Sequence, residues 1–288
     1  MDVIIGAITH YNIPQLQPYV KSLNQSGFKG DRYMVCYDVS FDVVKYLEEN
    51  GFKVIVFERN DAEQRFFFKR STTFNICVER FYHMWLFLSQ LSPQVQKTYR
   101  YLISLDVGDV VFQSDPSAYL DHLYEEELKN KTGIRLFATT ESVLYRDEIY
   151  WGRDNMIRSF GKGVYESIKD RLIVNTGTLC GEFSVVKDLM LLIYQMCQGY
   201  GTPNPDQAAY NLILSLEPYR SICRVLKSEE GFACELGTTL SATKKFLLQE
   251  PKPIFNQRDK MITTSTGRPF SIVHQYNYAG LTASNLGF

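Results

Sequence analysis

The stretch YLISLDVGDVVFQSDP, residues 101–116, joins an apolar run typical of a buried strand to a pair of carboxylates. The run at 101–105 stops at Asp106, and Asp109 follows before the chain becomes apolar again at 110–112. An unpaired carboxylate at the end of a buried strand costs on the order of several kcal/mol, so positive charge is expected between the two side chains. A metal ion is the simplest candidate.

Strand-like and helix-like patterns alternate on the N-terminal side of this stretch. Strands are predicted at 3–8, 32–37 and 52–57, with one helix closed by Gly27 and another that begins after Ser40 and ends at Gly51. A longer helical pattern covers 71–90, with Ser71 as its N-cap. This alternation predicts an α/β fold, a Rossmann-like sandwich with a mostly parallel central sheet flanked by helices. Ligands of such sheets bind at the carboxyl ends of the strands, where Asp106 and Asp109 lie.

The second half is less regular. We predict a strand at 135–140, a strand followed by a turn at 172–177, and helices at 184–198 and 206–215. Asp115 precedes Pro116 as an ordinary helix cap. Residues 145–170 mix aromatic and charged side chains, which favours a flexible lid or a sugar-binding surface over a core. The last forty residues are expected to wrap back over the sheet.

The composition and charge of the chain indicate which kinds of partner it could bind. The chain has 288 residues, 45% of them hydrophobic, and a net charge of −1 with dispersed basic residues. These values favour a small or glycan-like partner and no nucleic acid. Six cysteines without a CxxC pair indicate buried, reduced thiols. No apolar run is long enough for a membrane span, and 3–8 lacks the features of a signal peptide, so we expect a soluble, cytoplasmic protein.

Asp106 and Asp109 could have roles other than metal binding. The two residues could simply cap a turn. A metal-dependent phosphatase usually has one residue between its paired aspartates, whereas two separate Asp106 from Asp109. Neither a P-loop nor a dinucleotide fingerprint is present, because GTLCG at 177–181 lacks the required Lys-Ser/Thr and the third glycine.

Four motifs in order carry a resemblance: DVGD at 106–109, NTGTLCG at 175–181, PDQ at 205–207 and VHQYN at 273–277. Together they resemble the nucleotide-sugar glycosyltransferases of the A-type (GT-A) fold, over about residues 3 to 278. The chain is also similar to the capsid-glycan transferases of large algal viruses, which would place it in the host cytoplasm. Related sequences often carry Arg where Gly108 stands.

The resemblance implies a single GT-A-type domain over 1–288. Residues 1–116 would be the nucleotide-binding half, and 117–288 the acceptor-side half, whose C-terminal tail closes the site. Asp106, Asp109 and His274 would hold Mn²⁺ or Mg²⁺ between the two phosphates of a UDP-sugar donor. A lone histidine is also often structural, so this alternative for His274 stays open.

The donor would contact residues from both halves. Thr9 and Tyr11 would lie beside the base and ribose, with Tyr11 able to stack on uracil. Arg80 is either a diphosphate ligand or a surface arginine with an ion-pair partner. The donor-sugar contacts would come from Asn175, Gly177 and Gln207.

Transfer to a hydroxyl of a glycan or glycoprotein acceptor with inversion needs a base, and Asp206 is the leading candidate. The alternative is that Asp206 is an N-cap, and Glu141, Asp147 and Asp154 are other possible bases. Inversion is favoured, although a retaining enzyme would need no such base. The leading hypothesis is a metal-dependent glycosyltransferase. A sugar nucleotidyltransferase or a non-catalytic nucleotide-sugar binder is the alternative, although ITHYNIPQ at 8–15 lacks the glycine-rich basic loop that the former usually needs.

Overall fold

A computed structural model describes residues 1–57, 75–198, 204–239 and 251–288. Within them the protein is an α/β molecule with a seven-stranded, mostly parallel sheet flanked by helices, which is consistent with a Rossmann-like fold. The strands are β1 Val3–Thr9, β2 Asp31–Tyr37, β3 Lys53–Phe57, β4 Tyr101–Leu105, β5 Val110–Phe112, β6 Leu136–Leu144, β7 Leu172–Glu182, β8 Cys223–Leu226, β9 Ala233–Glu235, β10 Ile254–Asn256, β11 Met261–Thr263 and β12 Ile272–His274.

Helices cover both faces of the sheet. Because strand side chains alternate, Ile4 and Ile8 of the first strand face one apolar cluster and Val3 and Ile5 face the other. The helices are α1 Ile13–Gln25, α2 Phe41–Glu49, α3 Ile76–Gln90, α4 Pro93–Gln96, α5 Pro116–Asn130, α6 Gly152–Phe160, α7 Lys162–Ile168, α8 Phe183–Met196, α9 Asp206–Ile213, α10 Tyr219–Ile222 and α11 Leu236–Thr239. Residues of α1, α2 and α5 belong to the first cluster, and those of α3, α8 and α9 to the second.

The strand order is β3-β2-β1-β4-β7-β6-β8. The first four strands are parallel, and β7 runs antiparallel to both of its neighbours. Gly6 of β1 pairs with Leu105 of β4, so the chain leaves β4 at Asp106 beside the last residues of β1. The Asp106 N–H then donates to the Gly177 carbonyl of β7 at 2.9 Å.

A small sheet, in the order β5-β12-β9, brings the C-terminal segment back to this point. His274 is paired with Val110 of β5 on one side and with Glu235 of β9 on the other. The predicted return of the C-terminal segment therefore occurs through a three-residue strand. Such a strand is too short to show a periodic pattern.

Most predicted elements are confirmed to within a few residues, and Asp115 caps α5 by accepting from the Ser117 N–H at 2.9 Å. One prediction was wrong, and another was wrong in part. The turn near 177 does not exist, because β7 continues to Glu182 with both faces buried. Residues 145–170 are not a lid outside the core. They contain α6 and α7 and a buried cluster that includes Tyr145, Met156 and Tyr165.

The start of the long helix also differs. It begins at Ile76, and Asn75 is its N-cap, accepting from the Cys77 N–H at 3.1 Å. Ser71, the predicted cap, lies outside the described residues. None of the six cysteines forms a disulfide; Cys36, Cys180, Cys197 and Cys234 are buried as predicted, whereas Cys77 and Cys223 are partly exposed. Across the described ranges, the helices are too short or too polar to cross a membrane. The compartment stays a prediction.

Candidate functional site

A cleft of about 810 Å³ opens at the carboxyl ends of β1 and β4, a volume within the usual range for small-molecule sites. Both halves of the chain contribute to its walls. The predicted site residues that line it are Thr9, Tyr11, Arg80, Asp106, Asp109, Asn175, Gly177, Asp206 and Gln207. His274, the remaining one, lies buried against Asp106 and Asp109.

Asp106, Asp109 and His274 form a compact group in which one ligand atom from each lies within 4.8 Å of the others. The His274 Nε2 atom is 3.5 Å from Asp106 Oδ2 and 3.4 Å from Asp109 Oδ1. His274 is 1% exposed, and its Nε2 has no hydrogen-bond partner in the structure. A buried, unpartnered imidazole nitrogen that faces two carboxylates fits a ligand set for a divalent cation.

Each residue of this group lies at the end or the beginning of a strand, and strand pairing brings the three together. Asp106 follows the last residue of β4, Asp109 precedes β5, and His274 ends β12. The Gln275 N–H donates to the Asp109 carbonyl at 2.8 Å, which fixes the C-terminal strand against the aspartate loop. Asp109 and His274, which are 165 positions apart in the sequence, therefore become neighbours through backbone hydrogen bonds.

Glu235 of β9 supports His274 from behind, and sequence reasoning missed it. Its Oε2 lies 2.5 Å from His274 Nδ1, and its Oε1 accepts from Thr139 Oγ1 at 2.9 Å and from Thr178 Oγ1 at 3.3 Å. A carboxylate on Nδ1 directs Nε2 toward a metal position. Burial alone would lower the pKa of His274, but Glu235 and the two aspartates raise it well above its usual value. The only signal in the sequence is one carboxylate within the apolar run FACEL, 232–236.

Arg80 lies inside the cleft wall, with its side chain 13% exposed. It pairs with Asp106, and its Nη2 is 3.5 Å from Asp206 Oδ2. Burial would raise the pKa of Asp106, yet Arg80 and His274 hold it well below its usual range. The ion-pair partner expected in the alternative is present, since two carboxylates share the largely enclosed Arg80, and the role of diphosphate ligand stays a prediction. Among the described residues, its Nε finds no hydrogen-bond partner.

Asp206 is the first residue of α9, and Pro205 occupies the N-cap position. The alternative that Asp206 is the N-cap is therefore wrong. Its side chain is buried and lies 3.5 Å from Thr176 Oγ1. Burial raises the pKa of Asp206, Arg80 opposes this effect, and Asp106 adds to it, so the pKa lies above the usual value.

Glu141 organises the amides on the far side of the cleft. It accepts hydrogen bonds from Asn175 Nδ2 at 3.0 Å, Gln207 Nε2 at 2.8 Å and Thr238 Oγ1 at 3.1 Å. Among the alternative bases, Glu141 lines the cleft. Asp147 and Asp154 pair with adjacent arginines instead and are not among the lining residues.

Gly177 was predicted to leave room for the donor sugar. A Cβ atom on Gly177 would instead overlap the His274 ring and lie 2.8 Å from both Asp106 Oδ2 and Asn175 Oδ1. The missing side chain is therefore required by the metal-ligand group itself.

Tyr11 lies against the aspartate loop. A Cβ atom on Gly108 would overlap the Tyr11 hydroxyl, so a residue larger than glycine at 108 would displace that ring. Burial and the nearby Asp109 and Asp106 raise the pKa of Tyr11. Tyr11 also borders a second, more open hollow of about 480 Å³, which Asp38, Ser40 and Asp42 help to line.

No protein-family model matches the chain, and no characterised protein shows significant sequence similarity to it.

Proposed function

We propose that the protein is a metal-dependent glycosyltransferase of the GT-A type, which transfers a sugar from a UDP-sugar to a hydroxyl of a glycan or glycoprotein. The observation that carries this proposal is the Asp106, Asp109 and His274 group, whose buried imidazole nitrogen is unpartnered, at the edge of a cleft of nucleotide-sugar dimensions. Its place at the carboxyl ends of parallel strands supports a nucleotide-type ligand.

The ligand set suits Mn²⁺ or Mg²⁺, and the imidazole favours Mn²⁺. When bound, the cation would neutralise charge on the leaving diphosphate as a Lewis acid. Without it the cleft repels such a donor, because the charged residues among its described lining are four carboxylates and one arginine. Donor binding is therefore expected to require the cation.

Arg80 is the residue of this chain suited to the diphosphate. Its guanidinium is fixed by Asp106 and Asp206, and its unpartnered Nε can donate to a phosphate oxygen. Thr9, at the end of β1, and Tyr11, just after it, would border the nucleoside. The hollow beside Tyr11 offers further space on this side of the cleft.

Asp206 would act as the base in an inverting transfer. The acceptor oxygen attacks the anomeric carbon, the bond from that carbon to the diphosphate oxygen breaks, and the acceptor proton passes to the Asp206 carboxylate. A raised pKa suits this role, since it makes the carboxylate a stronger base than an exposed aspartate. Gln207 and Asn175, oriented by Glu141, would contact sugar hydroxyls.

The metal site is tested with Asp109→Ala. Calorimetry with UDP, with and without Mn²⁺, is expected to show Mn²⁺-dependent binding in the unaltered protein and its loss in the variant. Asp147→Ala, which removes an exposed carboxylate outside the cleft, is the matched control and is expected to bind normally. Equal Mn²⁺-dependent UDP binding by Asp109→Ala and the unaltered protein would contradict the proposed site.

Turnover separates the enzyme from the alternatives. A screen of UDP-sugars that reads UDP release is expected to show Mn²⁺-dependent release. A silent binder would give binding heat without free UDP. A nucleotidyltransferase would release pyrophosphate from UTP and a sugar phosphate instead.

A further inference from the structure

Two exposed aromatic side chains stand at the opening of the cleft. Trp151 is 38% exposed and Tyr278 is 60% exposed, and both line the cleft. Ile149 and Tyr150, beside Trp151 in the chain, are also exposed. Large exposed apolar groups gathered at a cleft are typical of a binding surface, whereas single scattered ones are not.

The backbone beneath Trp151 is held firmly. Glu148 is 1% exposed, and its Oε2 accepts from the Trp151 N–H at 2.9 Å and from the Gly152 N–H. A Cβ atom on Gly152 would lie 2.9 Å from that same oxygen, so this tight arrangement requires glycine. A buried carboxylate thus fixes the main chain while the indole faces the cleft.

Tyr278 is presented in a comparable way. It lies in the 3₁₀ turn Tyr276–Ala279, in which Tyr276 is buried, and this turn packs against α11. A Cβ atom on Gly237 of α11 would overlap the Gln275 side chain. Close packing therefore holds the turn while the Tyr278 ring stays exposed.

Trp151 belongs to the β6 side of the cleft, whereas the turn with Tyr278 lies between α11 and the aspartate loop, with Tyr276 close to Asp109 and Tyr11. Trp151 follows β6 in the chain, and α11 packs on β6, with Thr238 donating to Glu141. In the strand order β1-β4-β7-β6, strand β4 lies between the β6 side and the end of β1, and Asp106 directly follows β4. If Thr9 and Tyr11 border the nucleoside, Trp151 lies beyond the metal and the donor sugar, and Tyr278 lines the same cleft from the side of the aspartate loop.

We propose that Trp151 and Tyr278 form the acceptor subsite and that its ligand is a neutral pyranoside. This inference rests on the proposed glycosyltransferase function. The apolar face of a pyranose ring packs on an aromatic ring, and its hydroxyls pair with amides such as those of Asn204, Gln275 and Asn277, which also line the cleft. Four carboxylates against one arginine among the described lining residues disfavour an anionic acceptor.

A binding test needs no turnover. The chain has two tryptophans, Trp85 and Trp151, so Trp85→Phe leaves Trp151 as the only indole reporter. We would titrate this variant, with UDP and Mn²⁺ present, with the methyl glycosides of glucose, galactose, mannose, xylose and rhamnose. At least one is expected to change the Trp151 emission saturably. Methyl glucuronide, an anionic pyranoside, is expected to have no such effect.

A kinetic test uses the glycoside that responds. Trp151→Ala and Tyr278→Ala are each expected to raise its KM about tenfold, because each removes one stacking face. UDP affinity with Mn²⁺ and acceptor-independent UDP release are expected to stay unchanged, and Trp151→Phe is expected to recover much of the loss. Tyr150→Ala is the matched control, because Tyr150 is exposed beside Trp151 but does not line the cleft.

The inference is overturned if no neutral glycoside alters the Trp151 emission, or if Trp151→Ala and Tyr150→Ala give the same acceptor KM. Either result with intact Mn²⁺-dependent UDP binding leaves the proposed transferase standing. Absence of that UDP binding would instead refute the proposed function itself.

Discussion

At the scale of single residues, Asp206 and Glu141 are two buried carboxylates of one cleft whose surroundings differ. Glu141 accepts three side-chain hydrogen bonds of 2.8–3.1 Å. Among the described residues, the side-chain contacts of Asp206 are longer, 3.5 Å to Thr176 and Arg80, and its carboxylate also accepts from backbone N–H groups at the start of α9. A carboxylate whose hydrogen bonds are already satisfied orients its neighbours, whereas one held by longer contacts can take a proton. This difference supports the proposal that Asp206 is the base and that Glu141 positions its neighbours.

We expect Asp206→Asn to reduce kcat by roughly 10² or more, the usual contribution of a general base. UDP affinity is expected to stay near that of the unaltered protein, because the substitution preserves size. The base must be ionised, so activity is expected to rise as pH rises through the pKa of Asp206, which lies above the ordinary aspartate value. The pH profile of kcat/KM measures this, and the limb due to Asp206 should vanish in the variant.

Asp147→Asn, at an exposed position outside the cleft, is the control for this prediction. Near-normal turnover in Asp206→Asn would exclude Asp206 as the base. It would shift attention to Glu141, the alternative that the cleft contains.

His274 was expected only from the resemblance, whereas residue chemistry in the sequence singled out Asp106, Asp109 and Asp206. Each stands at the boundary of a recognisable element, where a charged side chain conflicts with the apolar pattern beside it. Glu235 was not predictable in this way. Its role depends on the pairing of β9 with β12, and that pairing has no local signature.

At the scale of elements, β7 shows why one local prediction failed. The triplet Asn175-Thr176-Gly177 has the composition of a turn, yet these residues continue an 11-residue strand. Antiparallel pairing with β4 and β6 overrides the local preference. Gly177 therefore allows neighbouring side chains to approach closely within a strand, and it does not form a turn.

Gly177→Ala tests this element directly. The added methyl would overlap His274 and crowd Asp106, so we expect Mn²⁺ affinity, measured by electron paramagnetic resonance, to fall at least tenfold. The free energy of unfolding is expected to fall by about 1–3 kcal/mol, as is usual for overpacking.

Gly181→Ala in the same strand is the matched control. Its Cβ atom would be 2.6 Å from the Arg135 carbonyl oxygen, away from the metal ligands. It is expected to lower stability similarly without a loss of Mn²⁺ affinity. Equal Mn²⁺ affinities in the two variants would show that Gly177 has no specific role at the site.

At the scale of the whole molecule, local patterns predicted the periodic N-terminal half, whereas the return of the C-terminal segment was expected without the strand pairing that achieves it. The strands and helices before residue 60 carry strong periods and clear caps, so their bounds agree closely with the structure. The three-residue strands β5, β9 and β12 carry no period, yet they bring residues 110, 235 and 274 together. Local sequence patterns do not show which short strands, far apart in the chain, pair with one another.

The return of the C-terminal segment to the site predicts that donor binding reaches this segment. His274 and the neighbouring residues 275–278 join the metal-ligand group and the cleft, so UDP with Mn²⁺ should stabilise the segment against local opening. We expect amide hydrogen exchange over residues 256–280 to slow when both are added, while exchange in α7, at 162–168, which lines neither the cleft nor the hollow, stays constant. Asp109→Ala should abolish the slowing, because the cation would no longer link the aspartate loop to His274. If UDP and Mn²⁺ bind the unaltered protein but leave exchange over 256–280 unchanged, His274 is a structural residue, and the C-terminal segment does not respond to the donor.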